Sequence, residues 1–145
     1  MSDPRAWRVR RAEVDALLPL RAAVLRPGQP IAAARWPGDA EAEHFVAESP
    51  DRGEILGVAS VFSAPLGADG PYGQLRGMAV APAARGGGVG LALLRAVEAA
   101  HPEGLWCNAR VSALGFYEAA GWRVISEEFE ILGVGPHVKM RWGPS

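Results

Sequence analysis

The sequence predicts a mixed α+β fold, and three patterns carry that expectation. A strand and a helix precede an antiparallel run of strands set off by turn residues. A further strand enters a glycine-rich turn that opens directly into an amphipathic helix and then a short apolar strand. The chain closes on a hairpin. At 145 residues it fits one domain, and with no repeat, low-complexity tract or linker, 1–145 is read as a single unit.

In order, Trp7-Arg8-Val9-Arg10 alternates as a short strand does. Glu13 to Leu25 carries a helical apolar stripe (Val14, Leu17, Leu18, Val24, Leu25) that Pro19 should interrupt and Pro27-Gly28 should stop. Residues 26–41 hold three prolines and two glycines, the composition of a connector or of a substrate rim. His44–Glu48 and Ile55–Phe62 flank the turn Ser49-Pro50-Asp51-Arg52-Gly53, and a second turn at 67–71 leads into the strand Gln74–Val80. The helix Gly88–Ala100 and the strand Leu105–Asn108 follow, at the spacing of a crossover between parallel strands. Ser112 is placed to cap a short helix that runs through Ala120 and ends at Gly121. Trp122–Ile131 and Val138–Trp142 read as a final hairpin around Gly133-Val134-Gly135-Pro136.

Composition excludes several classes. A formal net charge of −1 provides no basic field for nucleic acid or acidic lipid. No apolar run nears the roughly 18 residues of a membrane span, and the N-terminus has no signal-peptide core. The single cysteine, Cys107, cannot form an internal disulfide, and no Cys/His pair has metal-site spacing. The expectation is a cytoplasmic, metal-free protein. Cys107 sits in the apolar run Leu105-Trp106-Cys107, where a thiol is expected to be buried and inert.

The chemistry concentrates in the turn Arg85-Gly86-Gly87-Gly88-Val89-Gly90, between the strand Met78-Ala79-Val80 and the helix. A helix N-terminus presents unpaired N–H groups and a partial positive charge, glycines let an anion approach the backbone, and Arg85 adds a fixed cation. A pyrophosphate site is the physical expectation. A P-loop would need a lysine and a hydroxyl that are absent, and the dinucleotide fingerprint fails because Leu91 stands at its third glycine.

With Arg85, Gly88 and Gly90 matching Arg/Gln-x-x-Gly-x-Gly/Ala after Met78-Ala79-Val80-Ala81-Pro82, the chain resembles the GNAT superfamily of N-acetyltransferases. The resemblance spans the whole chain. It implies a central, mostly antiparallel mixed sheet of six to seven strands flanked by helices and splayed at the parallel pair that holds the acyl-CoA. It also implies acetyl-CoA as donor. The pantetheine arm would pair with Met78, Ala79 and Val80, and N–H groups from Arg85, Gly86, Gly87, Gly88, Val89 and Gly90 would hold the pyrophosphate.

A second segment, Gly115-Phe116-Tyr117-Glu118-Ala119-Ala120-Gly121-Trp122, is similar to the one whose tyrosine commonly lies near the thioester sulfur in this family. Tyr117 is thus the candidate acid for the coenzyme A thiolate, its other reading being aromatic core packing. Relatives often carry asparagine seven residues earlier; here Arg110 stands there, and Asn108 is the nearest substitute. Both are carried as cofactor-side candidates, with Arg110 equally able to approach the acceptor.

Attack by an amine needs a proton acceptor. Glu127, Glu128, Glu130 and His137 lie in the last hairpin, Glu128 and Glu130 on one strand face. The run Gly133 to Met140 resembles a bacterial branch ending in Gly-x-x-Pro-His-x-x-Met. His137 and Glu128 are the candidate bases. The expected function is direct acetyl transfer to a primary amine of a small molecule or peptide in a ternary complex. A non-catalytic acyl-CoA-binding module is the alternative. Apolar residues in the final strands allow a homodimer without requiring one.

Overall fold

The computed structural model describes residues 7–51 and 53–144. Its elements are β1 (Arg8–Ala12), α1 (Val14–Leu25), β2 (Glu43–Glu48), β3 (Ile55–Ser63), β4 (Gly73–Val80), α2 (Val89–Ala100), β5 (Leu105–Arg110), α3 (Leu114–Ala119), β6 (Arg123–Val124), β7 (Phe129–Ile131) and β8 (Gly135–Trp142). Short 3₁₀ turns occupy Ile31–Ala34, Pro82–Ala84 and Val111–Ala113. The eight strands form one sheet in the order β1-β2-β3-β4-β5-β8-β6, with β7 also paired to β8. Every pair is antiparallel except β4 with β5. The sheet has one strand more than the upper expectation because 122–131 divides into β6 and β7.

Alternation along the strands sends side chains to two faces. Phe45 and Ala47 of β2, Ala59 and Val61 of β3, and Leu75 of β4 join Val89, Leu93, Leu94 and Val97 of α2 in the main core. On the opposite face Val46, Val58 and Ala79 pack against Leu17 of α1. The α2 stripe recurs at helical spacing, so burying it against the sheet fixes the helix.

Two local expectations are corrected. Pro19 does not interrupt α1, which runs unbroken from Val14 to Leu25. Pro19 lies on the exposed side, where water can satisfy the Asp15 carbonyl left without a donor. Ser112 does not cap α3: it lies inside the 3₁₀ turn, and the cap residue Ala113 makes no side-chain bond.

The parallel pair is short. Gly73, Gln74 and Leu75 face Leu105, Trp106 and Cys107, and beyond Leu75 the two strands have no further partners in each other. The cause lies on the other edge of β4. Between Val58 and Ser60 on β3, the partners jump from Ala79 to Arg76, so β4 carries one extra residue there. Gly77 sits in that bulge with φ +69, a conformation suited to glycine. The bulge turns the rest of β4 away from β5, which stays paired to β8 through Arg110↔His137. A wedge-shaped notch results.

Candidate active site

Past Val80, the Ala81 N–H donates to the Leu56 carbonyl at 2.8 Å, and the Pro82–Ala84 turn leads to Arg85. Gly86 and Gly88 take φ +82 and +92, and Gly88 caps α2 with no side-chain bond. The first N–H groups of α2 are therefore free for an anion. A Cβ on Gly86 would meet nothing within 4 Å, so its backbone conformation, not crowding within the protein, calls for glycine. Arg85 is exposed, and its Nε donates to the Val80 carbonyl at 3.2 Å, tethering the guanidinium beside the turn.

The notch holds a cavity of ≈ 340 Å³ reached from both sheet faces, a volume suited to a small molecule. Met78, Cys107 and Tyr117 line it from the α2 side. Tyr117 extends from α3 and is buried, edge-on to Phe116 at 5.2 Å between centroids and tilted on Trp122 at 5.3 Å. Its hydroxyl bonds to no described residue, so aromatic packing accounts for the ring and leaves the hydroxyl uncommitted. Burial, and then the neighbouring Cys107, raise its phenol well above the ordinary value. Burial also pushes the Cys107 thiol up to about 12; the thiol is buried, as its apolar run leads one to expect.

Asn108, Arg110 and His137 line the cavity from the α1 side, because their strand neighbours Cys107, Ala109 and Val138 occupy the α2 core. The Asn108 Oδ1 accepts from Lys139 Nζ at 3.0 Å. His137 is buried, stacked on Phe129 at 6.0 Å, with Nδ1 2.7 Å from the Gly135 carbonyl. A carbonyl only accepts, so Nδ1 carries a proton toward it, and Nε2 has no described partner. Glu128 is exposed, outside β7 and apart from the residues lining the cavity; Glu127 and Glu130 are exposed as well. A bulge at 125–128, between β6 and β7, interrupts the strand on which Glu128 and Glu130 are expected to share a face.

The far wall draws on the 26–41 segment, whose composition is that of a connector or a substrate rim, but sequence reasoning named none of its residues for the site. Leu25, Arg26 and Trp36 reach the notch from the end of α1 and the segment after it, Arg76 from β4, and Ile131 and Val134 from the last hairpin. Trp36 is fixed between the Arg21 guanidinium, 3.9 Å from its ring centroid, and Gly77, whose absent Cβ would lie 2.8 Å from the ring. A large aromatic inside a proline- and glycine-rich connector was the available signal.

A sheet split at one parallel pair, with a glycine turn and helix N-terminus beyond the split strand, is the architecture of an N-acyltransferase. Residues 40–124 match the family model described as "Acetyltransferase (GNAT) domain", and the chain belongs to that family. It is 32% identical over 139 residues to the uncharacterized N-acetyltransferase YitI of Bacillus subtilis (strain 168), covering 91% of this chain and 93% of that one. Among solved structures, one described as histone acetyltransferase HPA2 and related acetyltransferase from Corynebacterium glutamicum superposes with a TM-score of 0.79 at 20% identity, covering 97% of both chains. Escherichia coli ElaA gives 0.74 at 21% identity over 94% of this chain and 97% of its own. These two likenesses concern the fold. No helix of the described residues is long and apolar enough to cross a membrane.

Proposed function

We propose that the chain, acting as one domain over 1–145, transfers acetyl from acetyl-CoA directly to a primary amine. The observation that carries this is that Tyr117 and His137 line one cavity from opposite sheet faces, with no described partner for the Tyr117 hydroxyl or the His137 Nε2. The donor fits the parts present. The β4 edge from Met78 to Val80 has no strand partner toward β5 and suits the amides of a pantetheine arm. The α2 N-terminus suits a pyrophosphate, with Arg85 beside it.

The donor supplies a thioester carbonyl and a thiolate leaving group. Backbone N–H groups near Val80 polarise that carbonyl, and the notch holds the amine nitrogen against it. His137 Nε2 takes the first amine proton, so nitrogen attacks as a neutral nucleophile; the N–C bond forms as the C–S bond breaks, and the second nitrogen proton passes to the departing sulfur, which leaves as the thiol. Tyr117 donates a hydrogen bond to the departing sulfur. A phenol raised by burial holds its proton more tightly than a thiol does, so donation without full transfer is the form its surroundings favour. Glu128, exposed and away from the cavity, is not assigned a step.

The test is release of free thiol from acetyl-CoA across a panel of amines, amino acids, polyamines and lysine peptides. Amine-dependent release that stops when Tyr117 and His137 are both replaced supports the reading. Tight coenzyme A binding without transfer to any amine would replace it with a binding module.

A further inference from the structure

The α1 side of the notch, where the preceding reading puts the acceptor, is charged in one direction. Arg26, Arg76 and Arg110 line the cavity, and no aspartate or glutamate does. None of the three forms an ion pair with a described residue. Asp39, the acid whose field reaches Arg76, is committed elsewhere: its Oδ2 accepts from Arg21 Nη1 at 2.9 Å and from the Trp36 N–H at 2.6 Å.

The arginines are also held. The Arg76 guanidinium carbon stands 4.6 Å from the Phe62 ring centroid and 5.1 Å from that of Trp36, and Arg26 approaches Trp36 at 5.8 Å. Arg26 Nη1 donates to the Leu25 carbonyl at 2.7 Å. Partial burial, then the charge of Arg21, lower the Arg76 guanidinium from its usual value; Asp39 opposes this and Arg26 adds to it. The glycine turn belongs to α2, which packs on the opposite sheet face, so the donor's pyrophosphate at that turn cannot also serve these side chains.

We infer that the acceptor is a small amine carrying its own carboxylate, an amino-acid-class substrate whose acid group is gripped by Arg26 and Arg76 against Trp36. This inference rests on the acyl-transfer reading for the identity of the amine. The planar guanidinium fork matches a carboxylate bidentately, and replacing mutual repulsion by two charge-assisted contacts favours such a ligand over a neutral one. A polyamine or a basic peptide would add like charge to the same wall and is disfavoured. The ≈ 340 Å³ cavity suits a single amino acid better than a folded protein segment.

Calorimetric titration of the protein, alone and with coenzyme A, should compare N-acetylglycine, N-acetylleucine and N-acetylphenylalanine with their neutral carboxamides. The carboxylates are expected to bind at least about tenfold tighter. Arg26→Gln and Arg76→Gln should bring that ratio toward one while coenzyme A affinity stays at the wild-type level, and Arg76→Lys should restore part of it. Equal affinity for acid and amide overturns the inference, whether or not turnover is seen. Weakened coenzyme A binding in the arginine variants also overturns it, by giving these side chains to the donor. In the thiol-release assay, amino acids should outperform the matching decarboxylated amines. Preference for the decarboxylated amines sinks the inference and leaves acyl transfer standing, whereas transfer to no amine strikes the acyl-transfer reading alone. An aminoalkylphosphonate preferred over its carboxylate counterpart would overturn the carboxylate assignment.

Discussion

Tyr117 and His137 reach the notch from different elements, and each is expected to fail in its own way when replaced. Tyr117→Phe keeps the ring packed on Phe116 and Trp122 and removes only the uncommitted hydroxyl. The expected result is a kcat roughly ten- to a thousand-fold lower with coenzyme A affinity nearly unchanged, read by steady-state kinetics and a binding titration. His137→Gln removes the Nε2 lone pair from a buried position. It should lower kcat for protonated amines far more than for acceptors already neutral at the assay pH, so rates across amines of different basicity separate a base from a packing residue. Both residues were legible through the motifs around them. The face on which Asn108 and Arg110 lie was not, because only the pairing of β5 with β8 fixes it. Glu128 failed to reach the cavity for a related reason: the chain bulges against β8 between Val124 and Phe129, with Ile125 still bonded to Lys139, and hydrophobic alternation gave no sign of it.

At the level of elements, the bulge in β4 matters most. Gly77→Ala would force a side chain into φ +69 and against the Trp36 ring. A loss of about 1–3 kcal/mol is expected in urea unfolding, with a higher KM for the acceptor because Trp36 must move. Turn chemistry made the strand–turn–helix passage readable, since Gly86 and Gly88 stand where positive φ is required. The bulge was not readable, for Gly77 lies inside an apolar strand with no turn residues beside it. Pro19 was misjudged because its effect depends on which side of α1 faces water, a tertiary property.

At the scale of the whole molecule, a buried polar cluster ties α1 to the sheet. Arg21 is fully buried; its Nη1 donates to the Ala34 carbonyl and Asp39, and its Nη2 to Ser60 Oγ at 3.0 Å. His44 Nδ1 lies 2.6 Å from the same Ser60 Oγ. Arg21→Met leaves Asp39 buried without its cation and should cost about 3–5 kcal/mol in urea unfolding. Alkaline pH acts on the other core. The raised Cys107 and Tyr117 groups keep their protons in the fold, while in the unfolded chain they ionise near their ordinary values, about 8.5 and 10. Their contribution is therefore full below about pH 8.5 and declines as pH rises through the raised values. Urea midpoints should fall from about pH 8.5 upward, and Cys107→Ala should flatten the first part of that fall.

The opening through the sheet also separates two kinds of heritable change. On the proposed reading the donor runs along the Met78–Val80 edge of β4 and the start of α2, whereas the wall on the acceptor side takes Arg26, Trp36 and Val134 from flanking segments and Arg76 and Ile131 from the sheet. Substitutions in those flanking segments can retune which amine is accepted while the thioester grip and the core stay intact. Diversity among descendants of such a chain is therefore expected to collect at 26, 36 and 134, and a library confined to those positions is the shortest route to a new acceptor.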